Sequence, residues 1–138
     1  MPAPFAGGCA CGAIRYACTV TPIFSFNCHC RDCQRETGSA FAPVLGVPKT
    51  AFRITQGSPQ YFALTADSGH TTKRAFCGTC GSPLFGLPGS ALDLVTIRVG
   101  SLDDPSEFRA SQDIYVESAQ PWDCMDPTLP KVPKLPER

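Results

Sequence analysis

Seven of the nine cysteines in this 138-residue chain stand in three short groups. The groups are Cys9-Ala10-Cys11, then Cys28-His29-Cys30-Arg31-Asp32-Cys33, and then Cys77-Gly78-Thr79-Cys80. Cysteine thiolates at such short spacings are typical ligands of zinc, and four of them complete its tetrahedral shell at about 2.3 Å per bond. The chemistry that these residues could do is therefore metal binding.

The first and third groups together supply four sulfurs. On extended backbone, residues two apart point the same way, so Cys9 and Cys11 can present both sulfurs to one ion. In the third group the backbone must bend, and Gly78 and Gly81 supply the permissive dihedral angles that such a bend needs. Disulfides are the alternative, but Cys-x-Cys is a poor local disulfide geometry. We therefore predict one structural zinc site, formed by Cys9, Cys11, Cys77 and Cys80.

The middle group supplies only three sulfurs, those of Cys28, Cys30 and Cys33. His29 lies between two of them and should point the opposite way along an extended segment, so we do not expect it to complete the shell. Three protein ligands with an exchangeable fourth position are the pattern of catalytic zinc. We predict a second zinc here, more labile than the first and open to water or to a substrate thiol.

This middle group has other interpretations. It could be a redox centre, or a closed structural site completed by Cys18, Cys124 or His70. Cys18 falls on the apolar face of a strand pattern, which favours a small buried side chain. The acidic neighbours of Cys124 oppose thiolate formation, so a reactive role is disfavoured there.

Charged residues near the middle group could act on its chemistry. Arg31 or Arg35 could offset the negative charge of three thiolates around zinc, or receive a substrate carboxylate. Alternatively these two side chains, together with Arg98, are ordinary solvated charges. Three further side chains could transfer protons at such a site: His29, Asp32 and Glu36.

Short strands must position these groups. Prolines (14) and glycines (12) leave no long stretch with a clean helical period. Between residues 13 and 20 apolar and polar residues alternate, with Ile14, Tyr16, Cys18 and Val20 on one face. Other β-type runs cover residues 23–28, 41–47, 52–55, 60–64, 71–76, 92–99 and 114–116. We therefore predict a mainly β fold of antiparallel sheets, with short helical turns after Cys33 and at residues 103–108.

The length and composition indicate a single domain. Hydrophobic residues make up 43% of the chain and charged ones only 17%, which is typical of a globular core. From Pro121 onwards prolines recur, which excludes a helix or a central strand. We predict a zinc-binding domain over residues 1–120 and a proline-rich extension over residues 121–138, which packs on that domain as an extended strap anchored by Trp122.

Twelve basic and twelve acidic residues leave no formal net charge, so nothing supports binding to nucleic acid or to an anionic membrane. The first residues do not have the pattern of a signal peptide, and no apolar run approaches a membrane span. We expect a cytoplasmic protein, in which clustered cysteines more often indicate metal than disulfides. The sequence carries no signal for an oligomeric state.

Four motifs together resemble the glutathione-dependent formaldehyde-activating enzyme family, also called the centromere-protein-V-type domain family. The motifs are Gly8-Cys9-Ala10-Cys11-Gly12, then Cys28-His29-Cys30-Arg31-Asp32-Cys33 with Thr37-Gly38, then Phe76-Cys77-Gly78-Thr79-Cys80-Gly81, and then Val99-Gly100-Ser101-Leu102-Asp103. The resemblance implies an Mss4-like β fold. It also implies the same division into a structural zinc and a second zinc near the substrate.

The resemblance further implies a carbon–sulfur lyase. The reaction that names the family joins glutathione and formaldehyde into S-(hydroxymethyl)glutathione, so the expected partner is a small-molecule thiol such as glutathione. An alternative from another class is a non-catalytic, zinc-stabilised β module that binds a protein partner, since a fold does not determine a function. In that case the middle cysteine group would be closed and inert.

Overall fold

Short strands form most of the regular secondary structure. The structure is a computed structural model that describes residues 1–66 and 69–136. Ten strands lie in these ranges: β1 Phe5–Gly8, β2 Arg15–Cys18, β3 Phe24–Cys28, β4 Ala42–Pro48, β5 Phe52–Gln56, β6 Gln60–Thr65, β7 Thr71–Phe76, β8 Pro83–Leu87, β9 Leu94–Arg98 and β10 Gln112–Ile114. One α-helix, α1 Arg31–Thr37, lies among them. The predicted mainly β class is confirmed. No helix in these ranges is long and apolar enough to cross a membrane.

The strands form two sheets. A three-stranded sheet has the order β1-β2-β5, and a seven-stranded sheet has the order β10-β3-β4-β9-β8-β7-β6. All the strand pairs are antiparallel except β10 with β3, which is parallel. The predicted antiparallel pairing is therefore confirmed at every described strand pair except this one. The physical reason is that the chain returns to β3 by a long crossover, which is the connection that parallel pairing needs.

The alternation around β2 is confirmed for three of its four predicted residues. Ile14, Tyr16 and Cys18 are buried, whereas Val20 is 38% exposed because β2 ends before it. These side chains join the main core between the sheets, with Leu45, Val47, Leu84, Val95 and Ile97. A second apolar cluster surrounds the middle cysteine group and consists of Phe26, Cys28, Cys33, Ala42, Val44 and Ile114.

Several predicted boundaries differ from the structure. The run at 92–99 begins only at Leu94, since Leu92 is 78% exposed. The run at 114–116 is displaced, because β10 ends at Ile114 and Tyr115 takes a left-handed conformation with φ of 56°. No helical turn forms at 103–108. That segment holds a single turn in which the Asp104 carboxylate accepts a hydrogen bond from the Ser106 amide.

The motif at residues 99–103 joins the end of β9 to the three-stranded sheet. The Tyr16 hydroxyl and Ser101 Oγ lie 2.5 Å apart, and Arg15 forms an ion pair with Asp103. Gly7 packs so closely here that an added Cβ would lie 2.4 Å from the Ser101 carbonyl oxygen. This motif therefore has a structural role, because it fixes the β1–β2 hairpin against the larger sheet.

The C-terminal segment, which we define as residues 119–136, runs beside β10. The Asp113 amide donates to the Pro130 carbonyl, the Val132 amide donates to the Asp113 carbonyl, and the Tyr115 amide donates to the Lys134 carbonyl. Trp122 is 68% exposed, so the prediction that it anchors the segment is wrong. Residues 137 and 138 lie outside the described part of the chain, and the division at residue 120 stays a prediction.

Candidate metal centres and cleft

Four sulfurs converge between the β1–β2 turn and the β7–β8 turn. We call Cys9, Cys11, Cys77 and Cys80 the four-cysteine group; their Sγ atoms all lie within 4.8 Å of one another. Cys11 Sγ is 3.6 Å from Cys9 Sγ and 3.7 Å from Cys77 Sγ. Zinc–sulfur bonds of about 2.3 Å place sulfurs about 3.8 Å apart in a tetrahedron. The cysteines are free thiols, so the group could hold a metal ion.

The backbone of both turns supports these sulfurs. Cys9 and Cys11 lie in a turn after β1, where Gly12 has φ of 80°, so the extended backbone that we predicted for them is wrong. The Ile14 amide donates to Cys9 Sγ at 3.2 Å, and the Cys80 amide donates to Cys77 Sγ at 3.5 Å. The hydrogen bond from the Ile14 amide favours the thiolate form of Cys9, which is the form that a metal requires.

Three more sulfurs converge where β3 meets α1. We call Cys28, Cys30 and Cys33 the three-cysteine group; their sulfurs also lie within 4.8 Å of one another. Cys28 ends β3, and Cys30 caps α1 by accepting a hydrogen bond from the Cys33 amide at 3.3 Å. Within residues 1–66 and 69–136, no other His, Cys, Asp or Glu atom joins this group. The alternatives that would close it, Cys18, Cys124 and His70, all lie outside the group.

His29 occupies the side of this segment that faces away from the sulfurs. Its ring is 1% exposed, with Nε2 2.9 Å from Asp113 Oδ1 and Nδ1 2.8 Å from Asp123 Oδ2. The first contact is a hydrogen bond, whereas the second, although as short, does not have the geometry of a hydrogen bond. His29 therefore leaves the three-cysteine group open, as the alternation of an extended segment led us to expect.

A buried charge cluster lies beside the three-cysteine group. Arg74 Nη2 donates to Cys33 Sγ at 3.5 Å, and Arg74 Nη1 donates to Glu36 Oε2 at 2.8 Å. Arg98 Nε donates to Glu36 Oε1 at 2.5 Å. Burial alone would raise the pKa of Glu36, but hydrogen bonds from Arg98 and the charges of both arginines hold it below its ordinary value. Glu36 is thus held as a carboxylate.

These contacts correct the predictions for the arginines. Arg98 is only 7% exposed, so it is not a solvated surface charge. Arg31 and Arg35 are both exposed, and Arg31 donates to the Gln34 side chain. The positive charge that touches a cysteine sulfur comes from Arg74, on a strand far away in the sequence.

The thiols of the three-cysteine group shift one another's pKa values. Hydrogen bonds from Cys28 and then from Cys33 lower the pKa of the Cys30 thiol to about 2. The hydrogen bond with Cys30, a second one with Cys33 and burial raise the pKa of Cys28. Cys30, the least buried of the three residues, is therefore the thiol that loses its proton most readily.

A cleft of about 1030 Å³ opens onto the three-cysteine group. Small-molecule sites typically measure about 300–1,000 Å³, so the space suits a ligand of that class. Asp32, Arg74 and Arg98 line it together with all three cysteines. Much of the remaining wall is apolar and includes Phe24, Phe26, Val44, Leu94 and Ile114. Asp32 is exposed to the cleft, whereas His29 is buried behind the sulfurs and Glu36 is held by the arginines.

The model of the glutathione-dependent formaldehyde-activating enzyme family matches residues 4–118, a range that contains both cysteine groups. The chain belongs to this family. The resemblance that the four motifs indicated is therefore confirmed. Residues beyond 118, including most of the C-terminal segment, lie outside the part that defines membership of the glutathione-dependent formaldehyde-activating enzyme family.

Two known proteins are similar to this chain. A Penicillium rubens protein, provisionally named as a glutathione-dependent formaldehyde-activating enzyme, is 31% identical over an aligned length of 105 residues, and the match covers 69% of this chain and 54% of that protein. The chain thus spans about half the length of this curated relative. A crystal structure of a Rhodobacter sphaeroides protein matches with a TM-score of 0.58 at 21% identity, over 71% of this chain and 87% of that one. This second likeness concerns the fold alone.

Proposed function

We propose that this chain is a zinc-dependent protein of the carbon–sulfur lyase type that acts on a thiol adduct in the cleft. The reaction that the family name describes would join glutathione and formaldehyde into S-(hydroxymethyl)glutathione. One observation carries the proposal: three sulfurs converge at the wall of a cleft, and no fourth protein donor in the described ranges completes their shell. That position is available to a substrate thiol.

We propose two zinc ions per chain. The four-cysteine group matches the sulfur spacing of a structural site, and an all-thiolate donor set is one that zinc favours. The three-cysteine group would hold the second zinc less firmly, because it offers one ligand fewer. When bound there, zinc would supply a positive charge that favours the deprotonated form of an incoming thiol.

The residues of the cleft supply the other parts of the reaction. Arg74, through its hydrogen bond to Cys33, would balance part of the negative charge of the thiolates. In the synthetic direction the substrate sulfur bonds to the formaldehyde carbon, and the thiol proton ends on the new hydroxyl group. Asp32, exposed at the cleft, would carry that proton by accepting it from the thiol and returning it to the oxygen. The reverse transfer accompanies C–S cleavage.

The test measures the exchange of glutathione with its formaldehyde adduct by NMR exchange spectroscopy, with and without protein. We expect the wild-type protein and a Cys124→Ser variant to raise the exchange rate above the protein-free value. Cys124 is exposed and outside both cysteine groups, so it is the matched control. A Cys30→Ser variant should lose the acceleration. If the wild-type protein does not accelerate exchange, the lyase proposal fails and a zinc-stabilised module for a protein partner becomes the better account.

A further inference from the structure

The loop that carries the three-cysteine group is held from behind by β10 and by the C-terminal segment. The His29 amide donates to the Ile114 carbonyl at 2.9 Å, and the His29 carbonyl accepts a hydrogen bond from Gln34 Nε2 at 2.7 Å. The same Gln34 nitrogen donates to the Ser118 carbonyl, and Gln34 Oε1 accepts from Gln120 Nε2. The residue between two of the cysteines is therefore fixed through its backbone.

The ring of His29 is fixed as well, between two carboxylates of different origin. Asp113 belongs to β10 and is itself bound by Lys131, whose Nζ lies 2.9 Å from Asp113 Oδ2. Asp123 belongs to the C-terminal segment, and its side chain is only 3% exposed. Burying a carboxylate costs free energy unless a partner offsets it. Asp123 Oδ2 makes no hydrogen bond in the described ranges, so its close contact is the one with His29.

We propose that Asp123 is a positioning residue for the three-cysteine group. Its carboxylate holds the His29 ring on the side away from the sulfurs, and this fixes the backbone between Cys28 and Cys30. Because neighbouring residues on an extended segment point to opposite sides, a ring held behind keeps both flanking sulfurs turned towards the cleft. Asp123 lies beyond residue 118, so this chain places a support for the site outside the range that the family model matches.

The inference rests on the proposed second zinc, and its first test is the rate at which zinc leaves. A chromogenic chelator is added to the zinc-loaded full chain, and release is followed for Asp123→Asn and for Asp126→Asn as the matched control. Asp126 carries the same charge in the same segment, but it is exposed, and among the described residues its carboxylate accepts hydrogen bonds only from Thr128. We expect one of the two zinc ions to leave about tenfold faster in Asp123→Asn. This is the lower end of the effect that residues around the metal ligands have on metal sites. In Asp126→Asn the release rates of both ions should be unchanged.

The second test does not need the second zinc. Amide hydrogen exchange is measured on the full chain with zinc only at the four-cysteine group, and we expect faster exchange at residues 28–34 in Asp123→Asn, with the β7–β8 turn unchanged. If the wild-type protein binds only one zinc, the proposed second zinc fails, and the exchange result alone decides the role of Asp123. Unchanged exchange at residues 28–34 overturns the inference. Equal acceleration at both cysteine groups, or of both ions, also overturns it, because that result indicates general destabilisation.

Discussion

Substituting Glu36 by glutamine should destabilise the fold substantially. The Glu36, Arg74 and Arg98 side chains are only 7–9% exposed, and Glu36 accepts contacts of 2.5 and 2.8 Å from the two arginines. Breaking a buried ion pair typically costs about 3–5 kcal/mol, because the remaining charges lose their partner. Glutamine keeps one acceptor oxygen and Arg98 keeps its hydrogen bonds to Thr96. We therefore expect the free energy of unfolding to fall by about 3 kcal/mol, the lower end of that range.

Urea unfolding followed by circular dichroism at pH 7 measures this loss, with both variants fully zinc-loaded. Glu117→Gln is the control, because Glu117 lies 3.8 Å from Lys134 with its side chain 48% exposed and should contribute less than about 1 kcal/mol. The pKa of Glu36 is lowered by folding, so its contribution is fully present above its unfolded pKa of about 4.3 and is lost as pH falls through the folded value. Equal unfolding midpoints for the two variants would refute the reasoning.

Three further predictions concern packing and metal. Gly46→Ala should cost about 1–3 kcal/mol in urea unfolding, because the new Cβ would lie 2.1 Å from the Phe24 ring, whereas Gly100→Ala meets nothing within 4 Å and is the control. Trp122→Ala should change stability by less than about 0.5 kcal/mol, since this side chain is 68% exposed; a larger loss would show that Trp122 anchors the C-terminal segment. Cys77→Ala should remove the structural zinc and unfold the domain, whereas Cys33→Ala should remove one zinc and keep the fold. Equal loss of secondary structure in circular dichroism would contradict the assignment of a structural zinc to the four-cysteine group and a second zinc to the three-cysteine group.

Local patterns in the sequence were sufficient for many of the strands. The alternation of Ile14, Tyr16 and Cys18 requires one buried strand face, and the structure has it. By contrast β8, Pro83–Leu87, begins with a proline and contains a glycine, so it carries no β signal of its own. It forms because β7 and β9 pair with it on either side. The parallel pairing of β10 likewise depends on a distant partner and leaves no local pattern.

The candidate site divides in the same way between local and distant residues. The short spacing within each motif was enough to predict that its own cysteines lie together. The convergence of Cys9 and Cys11 with Cys77 and Cys80, which joins residues 66 positions apart, was instead predicted from the four sulfurs that a zinc shell needs. Arg74 contacts the three-cysteine group from β7, and Asp123 contacts the His29 ring from the C-terminal segment; neither residue has a motif around it. Arg74 is buried and therefore requires a partner, whereas its neighbour Lys73 is exposed, but the sequence does not show which of these two adjacent basic residues is buried.

Zinc X-ray absorption spectroscopy with and without glutathione tests the central claim most directly. The four-cysteine and three-cysteine groups together should give about 3.5 sulfurs per zinc on average, rising to about 4 when a glutathione thiol enters the open position. The Cys33→Ala variant, with zinc only at the four-cysteine group, should show about 4 sulfurs in both conditions. If the wild-type spectrum does not change when glutathione is added, the three-cysteine group does not receive a substrate thiol and the account is contradicted.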